Sequence, residues 1–321
     1  MNNNAQYLRE CSLIIGDNQG NGIELANMHV KFTVHKADTQ TPAFANIRVY
    51  NLSEDTAKRL QKEFTQVFLQ AGYAGNLGLI FTGAVRQYRK GRENATDTFL
   101  DIVAQDGDTG YNWALMNTTI ATGWNQQSLH ESLLQSFDPF GIKTGYVPEF
   151  GGPNMPRAKV CYGMTRDYMR TLADGAGTSW HVADGLLNMV PYNSTLPGEA
   201  VVLTAKTGLI GLPQQTVDGI TVKCLLNPKI KFGGQIKLDN NSIQQQQINI
   251  AYSAVNNFID QATGENTALD NDGFYKVYAV NISGDTRGQD WYSNLICVGV
   301  NATAPLSGPY INAVASTGAR M

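Results

Sequence analysis

Four histidines, a few acid clusters and one run of cations are the residues of this 321-residue chain most suited to chemistry. His29 and His35 share one face of a predicted strand, while His130 and His181 fall in separate predicted elements. No His-x-x-x-His or similar ligand spacing occurs, so no metal is expected. His181 is expected at a half-exposed strand position. The run Asp106-Gly107-Asp108-Thr109-Gly110-Tyr111-Asn112 opens like a calcium loop, but Asn117 stands where a bidentate acid should close it. A turn satisfied by its own aspartates is expected there, and another at Asp270 and Asp272 beside Gly273. No Gly-x-Ser-x-Gly elbow, phosphate loop or dinucleotide fingerprint occupies a strand–helix junction, so no catalytic residue or cofactor is expected. Glycosidase carboxylate pairs are defined by spatial separation and stay open as an alternative.

The densest cations are Arg86, Arg89, Lys90 and Arg92, with Glu93 and Asp97 close behind. Acids so near suit a charged hairpin tip making inter-subunit ion pairs better than a nucleic-acid groove. A second polar group is Gly284-Asp285-Thr286-Arg287-Gly288, with Trp291 and Tyr292 just beyond. Its glycines give backbone freedom, and Asp285 can accept from its own loop's amides. Arg287 either bridges to a neighbour's carboxylate or pairs with Asp285 or Asp290. Trp291 either anchors that contact or fills the end of a barrel.

These groups need a scaffold, and its bulk properties are informative. Formal net charge is −3 and charged residues make up 16% of the chain, against about 25% in ordinary soluble proteins. There is no global basic footprint for nucleic acid. Neutral polar groups cost less to desolvate than ions, so this surface suits lasting burial against other subunits; a secreted β-protein is the alternative. Cys11, Cys161, Cys224 and Cys297 are widely spaced within or beside apolar runs, which favours free thiols in a reducing compartment over two long-range disulfides. No apolar run reaches the roughly 18 residues of a membrane span. The first residues lack a signal-peptide core, so folding in the cytosol and no stable membrane insertion are expected.

Residues 1–110 read as strands at Cys11–Ile15, Met28–His35, Ala45–Tyr50, Gln66–Tyr73, Leu77–Val85 and Thr98–Ala104. A helix capped by Ser53 interrupts them. Residues 111–198 read as a small α+β unit. It has helices at Asn125–Phe137 and Thr165–Ala176, the latter capped by Thr165, and a hairpin turning at Asp184-Gly185. Residues 199–300 return to strands at Ala200–Thr204, Thr221–Leu226, Gln235–Leu238, Ile243–Ile250, Phe274–Ile282 and Leu295–Val300, with an exposed loop at Asp260–Gly273. Residues 301–321 read as an extended or flexible tail. The expected fold class is mainly β with an α+β insert, the two flanking blocks forming barrels.

Several segments resemble the central baseplate hub proteins of tailed bacteriophages. They are Thr41-Pro42-Ala43-Phe44 through Ser53, Leu69–Tyr73 with Leu79–Gly83, Gly208–Gln214 through Val222–Pro228, and the Gly284–Trp291 turn. Ile282 and Ser283 stand where relatives often carry a histidine, so no role of that histidine is carried over. The resemblance implies two tail-tube-like β-barrel domains around the α+β domain, and a homotrimer matching a sixfold tail tube to a threefold tip spike. It further implies contacts with the tail tube or its adaptor, the tape-measure protein, the spike and baseplate wedge proteins. DNA would be met only in transit through the lumen, and the location would be the virion tail, assembled in the host cytoplasm. A virion-associated cell-wall hydrolase and a carbohydrate-binding adhesin are the rivals, and a contractile secretion hub is a close neighbour.

Overall fold

The computed structural model describes residues 6–17, 21–25, 27–37, 41–216, 219–245 and 272–300. The first block holds β1 (Arg9–Gly16), β2 (Gly22–Glu24), β3 (Val30–Ala37), β4 (Phe44–Tyr50), α1 (Glu54–Glu63), β5 (Gln66–Tyr73), β6 (Asn76–Arg92) and β7 (Thr98–Gln105). Period-two alternation sets their faces. In β3, Val30, Phe32 and Val34 are buried while Lys31, Thr33 and His35 look outward. Ser53 caps α1, its Oγ accepting from Thr56 N at 3.2 Å, and Ala57 and Leu60 face inward. The sequence places the end of β6 at Val85, but the strand continues to Arg92, because it changes partner midway. Asn76–Ala84 pairs with β5, and Ala84–Arg92 pairs with β7. The basic cluster therefore lies along a strand, and not on a hairpin tip as its charge density suggests.

The middle block contains α2 (Asp108–Trp113), β8 (Leu115–Ile120), α3 (Gln126–Phe137), β9 (Lys143–Thr144), β10 (Lys159–Met164), α4 (Thr165–Gly175), β11 (Thr178–Ala183) and β12 (Leu186–Pro191). Asn125 caps α3 with a reciprocal box to Ser128. Asp184 and Gly185 both adopt positive φ, 55° and 76°, at the hairpin between β11 and β12. Three expectations are corrected here. The segment expected as an aspartate turn becomes α2, in which Asp108 accepts from Asn112 Nδ2 at 2.7 Å. Thr165 does not cap α4; Met164 is the cap residue, and the buried Thr165 hydroxyl lies 2.7 Å from Ser136 Oγ. His181 is fully buried against the Phe232 ring, since β11 is covered on both faces.

The last block adds β13 (Val201–Val202), β14 (Leu209–Thr216), β15 (Gly219–Leu225), β16 (Gln235–Lys237), β17 (Gln244–Gln245), β18 (Phe274–Asp285) and β19 (Trp291–Gly299). Expected features at 246–250, 260–271 and 301–321 lie outside the described residues. The first and last blocks share one 14-stranded sheet, whose main path runs β17-β14-β15-β19-β18-β3-β4-β7-β6-β5-β1-β2. The joining pair is β18 with β3, antiparallel, with Ile282 opposite Val34. One contiguous apolar core, from Leu13 to Cys297, underlies both blocks, and a second core from Ala114 to Met189 serves the middle block. The structure is mainly β with an α+β insert.

Candidate functional site

Register across five neighbouring strands sets charged residues in one lateral row. Asp285 on β18 lies opposite Lys31 on β3, Lys31 opposite Arg48 on β4, Arg48 opposite Asp101 on β7, and Asp101 opposite Arg89 on β6. Outward-facing positions alternate with core positions along each strand, so the row occupies the uncovered face. Arg48 grips Asp101 with two bonds, Nε to Oδ1 at 2.6 Å and Nη2 to Oδ2 at 3.1 Å, while Arg89 donates to Oδ2 from the other side. The Arg48 guanidinium also lies 3.9 Å from the Phe99 ring centroid. Burial would raise the Asp101 pKa, but hydrogen bonds from Arg48 and Arg89 outweigh it and hold the carboxyl below its usual range. The Asp101 hydrogen bond in turn pushes Arg48 further up. One row inward, Ser283, Thr33 and Asn46 form a neutral polar rank.

The Gly284–Trp291 turn closes one end of that row. Asp285 Oδ1 accepts from the Arg287 and Gly288 amides at 2.9 and 2.8 Å, the Asx arrangement its sequence implies. The same oxygen meets His29 Nε2 at 2.8 Å, and Oδ2 lies 3.5 Å from Lys31 Nζ. Burial pushes the Asp285 pKa upward, yet the Arg287 amide, His29 and the Gly288 amide leave it lowered. Thr286 ties the turn to the lead-in of β3, accepting from Val30 N at 3.0 Å. Arg9 on β1 clamps it from another side, donating to the Gly288 and Gln289 carbonyls at 2.8 and 3.0 Å. Gly284 leaves room for the Phe32 ring, into which any Cβ would run. Trp291 is 1% exposed, donates to Gly72 O at 3.1 Å and meets Phe32 edge-on, so it fills the core. The alternative in which Arg287 pairs with Asp285 or Asp290 is corrected, because His29 and Lys31 take the Asp285 carboxylate. The exposed Arg287 guanidinium has no partner among the described residues.

Of the basic cluster, Arg86 pairs with Asp108 and Arg89 with Asp101, while Lys90 reaches Glu54 at 3.0 Å. For these three, the partners expected across a subunit boundary exist within the chain. Arg92 is exposed without a partner among the described residues. The structure thus brings the turn and Arg89 of the basic strand onto one sheet face, linked through Lys31, Arg48 and Asp101, while Lys90, opposite the buried Leu100, points to the other face. Sequence reading missed those three linking residues and Arg9, and it named His29 without its partner Asp285. Their alternation with buried positions was visible, but the register that aligns them was not. Among the described residues no three His, Cys, Asp or Glu gather to hold a metal ion, and no helix is long and apolar enough to cross a membrane.

No family model matches the sequence, and no curated protein is similar to it in sequence. Solved structures do match in fold. The 43 kDa tail protein of prophage MuSo2 from Shewanella oneidensis aligns over 93% of this chain and 99% of its own, with TM-score 0.57 and 10% identity. A tail protein from Neisseria meningitidis MC58 aligns over 91% and 96%, with TM-score 0.56 and 8% identity. An E. coli component of the type VI secretion system, described as structurally similar to the T4 tail proteins gp27 and gp5, aligns over 86% and 74%, with TM-score 0.51 and 10% identity. The chain shares the fold of these tail and type VI secretion proteins.

Proposed function

We propose that this chain is a structural subunit of a phage-type tail, a baseplate hub that works by shape and lasting contact without catalysis. The observation that carries this reading is the agreement of fold with a prophage tail protein along nearly the whole of both chains. In this reading residues 1–110 and 199–300 are two tube-like barrel units and 111–198 the domain between them. Three copies present six similar units, which lets a threefold ring and tip spike join a sixfold tail tube. The tail tube or its adaptor, the tape-measure protein, the spike and wedge proteins are its neighbours in the virion, and assembly takes place in the host cytoplasm.

DNA leaving through such a ring must not adhere to its wall. The charged row supports this, since Lys31, Arg48 and Arg89 each have a carboxylate alongside that shortens their field. Light scattering and particle imaging of the full chain test the reading. A threefold ring of three 35.0 kDa copies is expected. A monomer at all concentrations, or release of muropeptides from peptidoglycan, would overturn it.

A further inference from the structure

The middle block carries an apolar surface that none of the described residues covers. β8 and β10 form a two-stranded ribbon with Leu115 opposite Met164, Asn117 opposite Tyr162 and Thr119 opposite Val160. Those six residues share one face. The other face packs Met116 and Cys161 into the core beneath α3 and α4. On the open face Leu115 is 62% exposed, Val160 72% and Tyr162 78%, and the adjoining Trp113 is 66% exposed. The Tyr168 hydroxyl occupies both the amide and the carbonyl of Tyr162, so strand addition is blocked at that point of β10. No charge interrupts the open face. These four large, exposed side chains would supply a sizeable share of the roughly 800 Å² that one partner gives to a stable interface.

A second apolar feature shares no residue with the first. Leu77, Leu79 and Leu186, each more than a third exposed, line a groove of about 500 Å³ with Pro228 and Ile230, where the first, middle and last blocks meet. The only acid among the groove's lining residues, Asp184, is paired with Lys36 at 2.9 Å, and Lys229 and Lys231 keep exposed heads. An exposed apolar face and a receiving groove on one chain can serve as the two halves of a head-to-tail contact, the kind that closes rings.

We infer that the β8–β10 face of one copy seats in the Leu77–Leu186 groove of a second copy of this chain. The inference rests on the ring reading above and names the surfaces that hold the ring. Tyr162→Asp on the ribbon, and separately Leu77→Asp or Leu186→Glu in the groove, should each weaken self-association roughly tenfold or more. Light scattering over a range of concentrations reads this, and an unchanged thermal melt shows each variant to be folded. Mixing a ribbon variant with a groove variant should restore one intact contact and give a heterodimer, which a face-to-face contact would not. If wild type and all three variants remain equally trimeric, the inference falls while the ring stands. If wild type is monomeric throughout, the ring reading falls and this contact with it.

Discussion

His29 donates through Nε2 to Oδ1 of Asp285 at 2.8 Å, tying the lead-in of β3 to the end of β18 across 256 positions of sequence. The imidazole is held in place by stacking on Tyr50 at 4.3 Å between centroids. Asp285 thus satisfies its own turn and fastens the last block to the first. Asp285→Ala should cost about 2–3 kcal/mol, because it removes charge-assisted bonds and leaves the turn amides unpaired. Urea denaturation measures it, and His29→Ala should cost less, since the Arg287 and Gly288 amides keep their acceptor. The pH sign is fixed by the lowered carboxyl. Its contribution is full above about pH 4, the unfolded value, and is lost as pH falls through the lower folded value.

Gly284 is predicted to resist substitution for a steric reason alone. Its φ is not positive, but a Cβ there would run into the Phe32 ring. Gly284→Ala should destabilise by about 1–3 kcal/mol, and Phe32→Leu in the same chain should recover part of that loss. A double-mutant cycle in urea checks the coupling. Equal costs with and without Phe32 would show that the ring is not the obstacle.

Charges in the lateral row should contribute unequally. Arg89 is largely exposed, so Arg89→Ala should change stability by no more than about 1 kcal/mol. Asp101→Ala strips the partly buried Arg48 of its two-bond partner and should cost about 2–3 kcal/mol. Urea midpoints for the two variants compare them directly.

All four cysteines are free, and the three embedded in the β3–β18 sheet face strong desolvation. Burial pushes Cys11 and Cys224 up to about 12 and Cys297 higher still. Little thiolate exists near neutrality, so native protein should react slowly with a thiol reagent at pH 8, and four equivalents should appear at once in guanidinium. Rapid native labelling at Cys224 or Cys297, located by mass spectrometry, would contradict the packing of β15 and β19.

Local signals read well and long-range ones did not. The Ser53 cap, the Asn125 helix start, the Asp184-Gly185 hairpin and β5 at Gln66–Tyr73 follow from short patterns of capping, turn chemistry and alternation. Thr165 has a cap's identity but was drawn into the core by Ser136. β8 and β10 escaped notice because one face of the ribbon meets the core and the other keeps large apolar groups in solvent, which blurs the alternation. The row from Asp285 to Arg89 needed the β18–β3 register, which joins segments some 250 positions apart and leaves no trace in either sequence segment alone.

Asp106 offers the sharpest pH test, at the junction of the first and middle blocks. It is 2% exposed, accepts from the amides of Asp184 and Gly185, and faces the ion pair of Lys36 with Asp184. Burial is the dominant influence and Lys36 offsets only part of it, so the carboxyl rises to about 6. The folded chain then binds a proton more tightly than the unfolded chain does. Between about pH 6 and pH 4 this residue therefore adds stability on acidification, the reverse of Asp285 and Asp101. A rise of about two units from its ordinary value corresponds to roughly 3 kcal/mol across that window. Asp106→Asn should remove this slope, so the wild type should gain on the variant by up to that amount from pH 7 to pH 4. Urea midpoints at intervals across the range measure the difference. Parallel pH profiles would mean that Asp106 is no more desolvated in the folded chain than in the unfolded one.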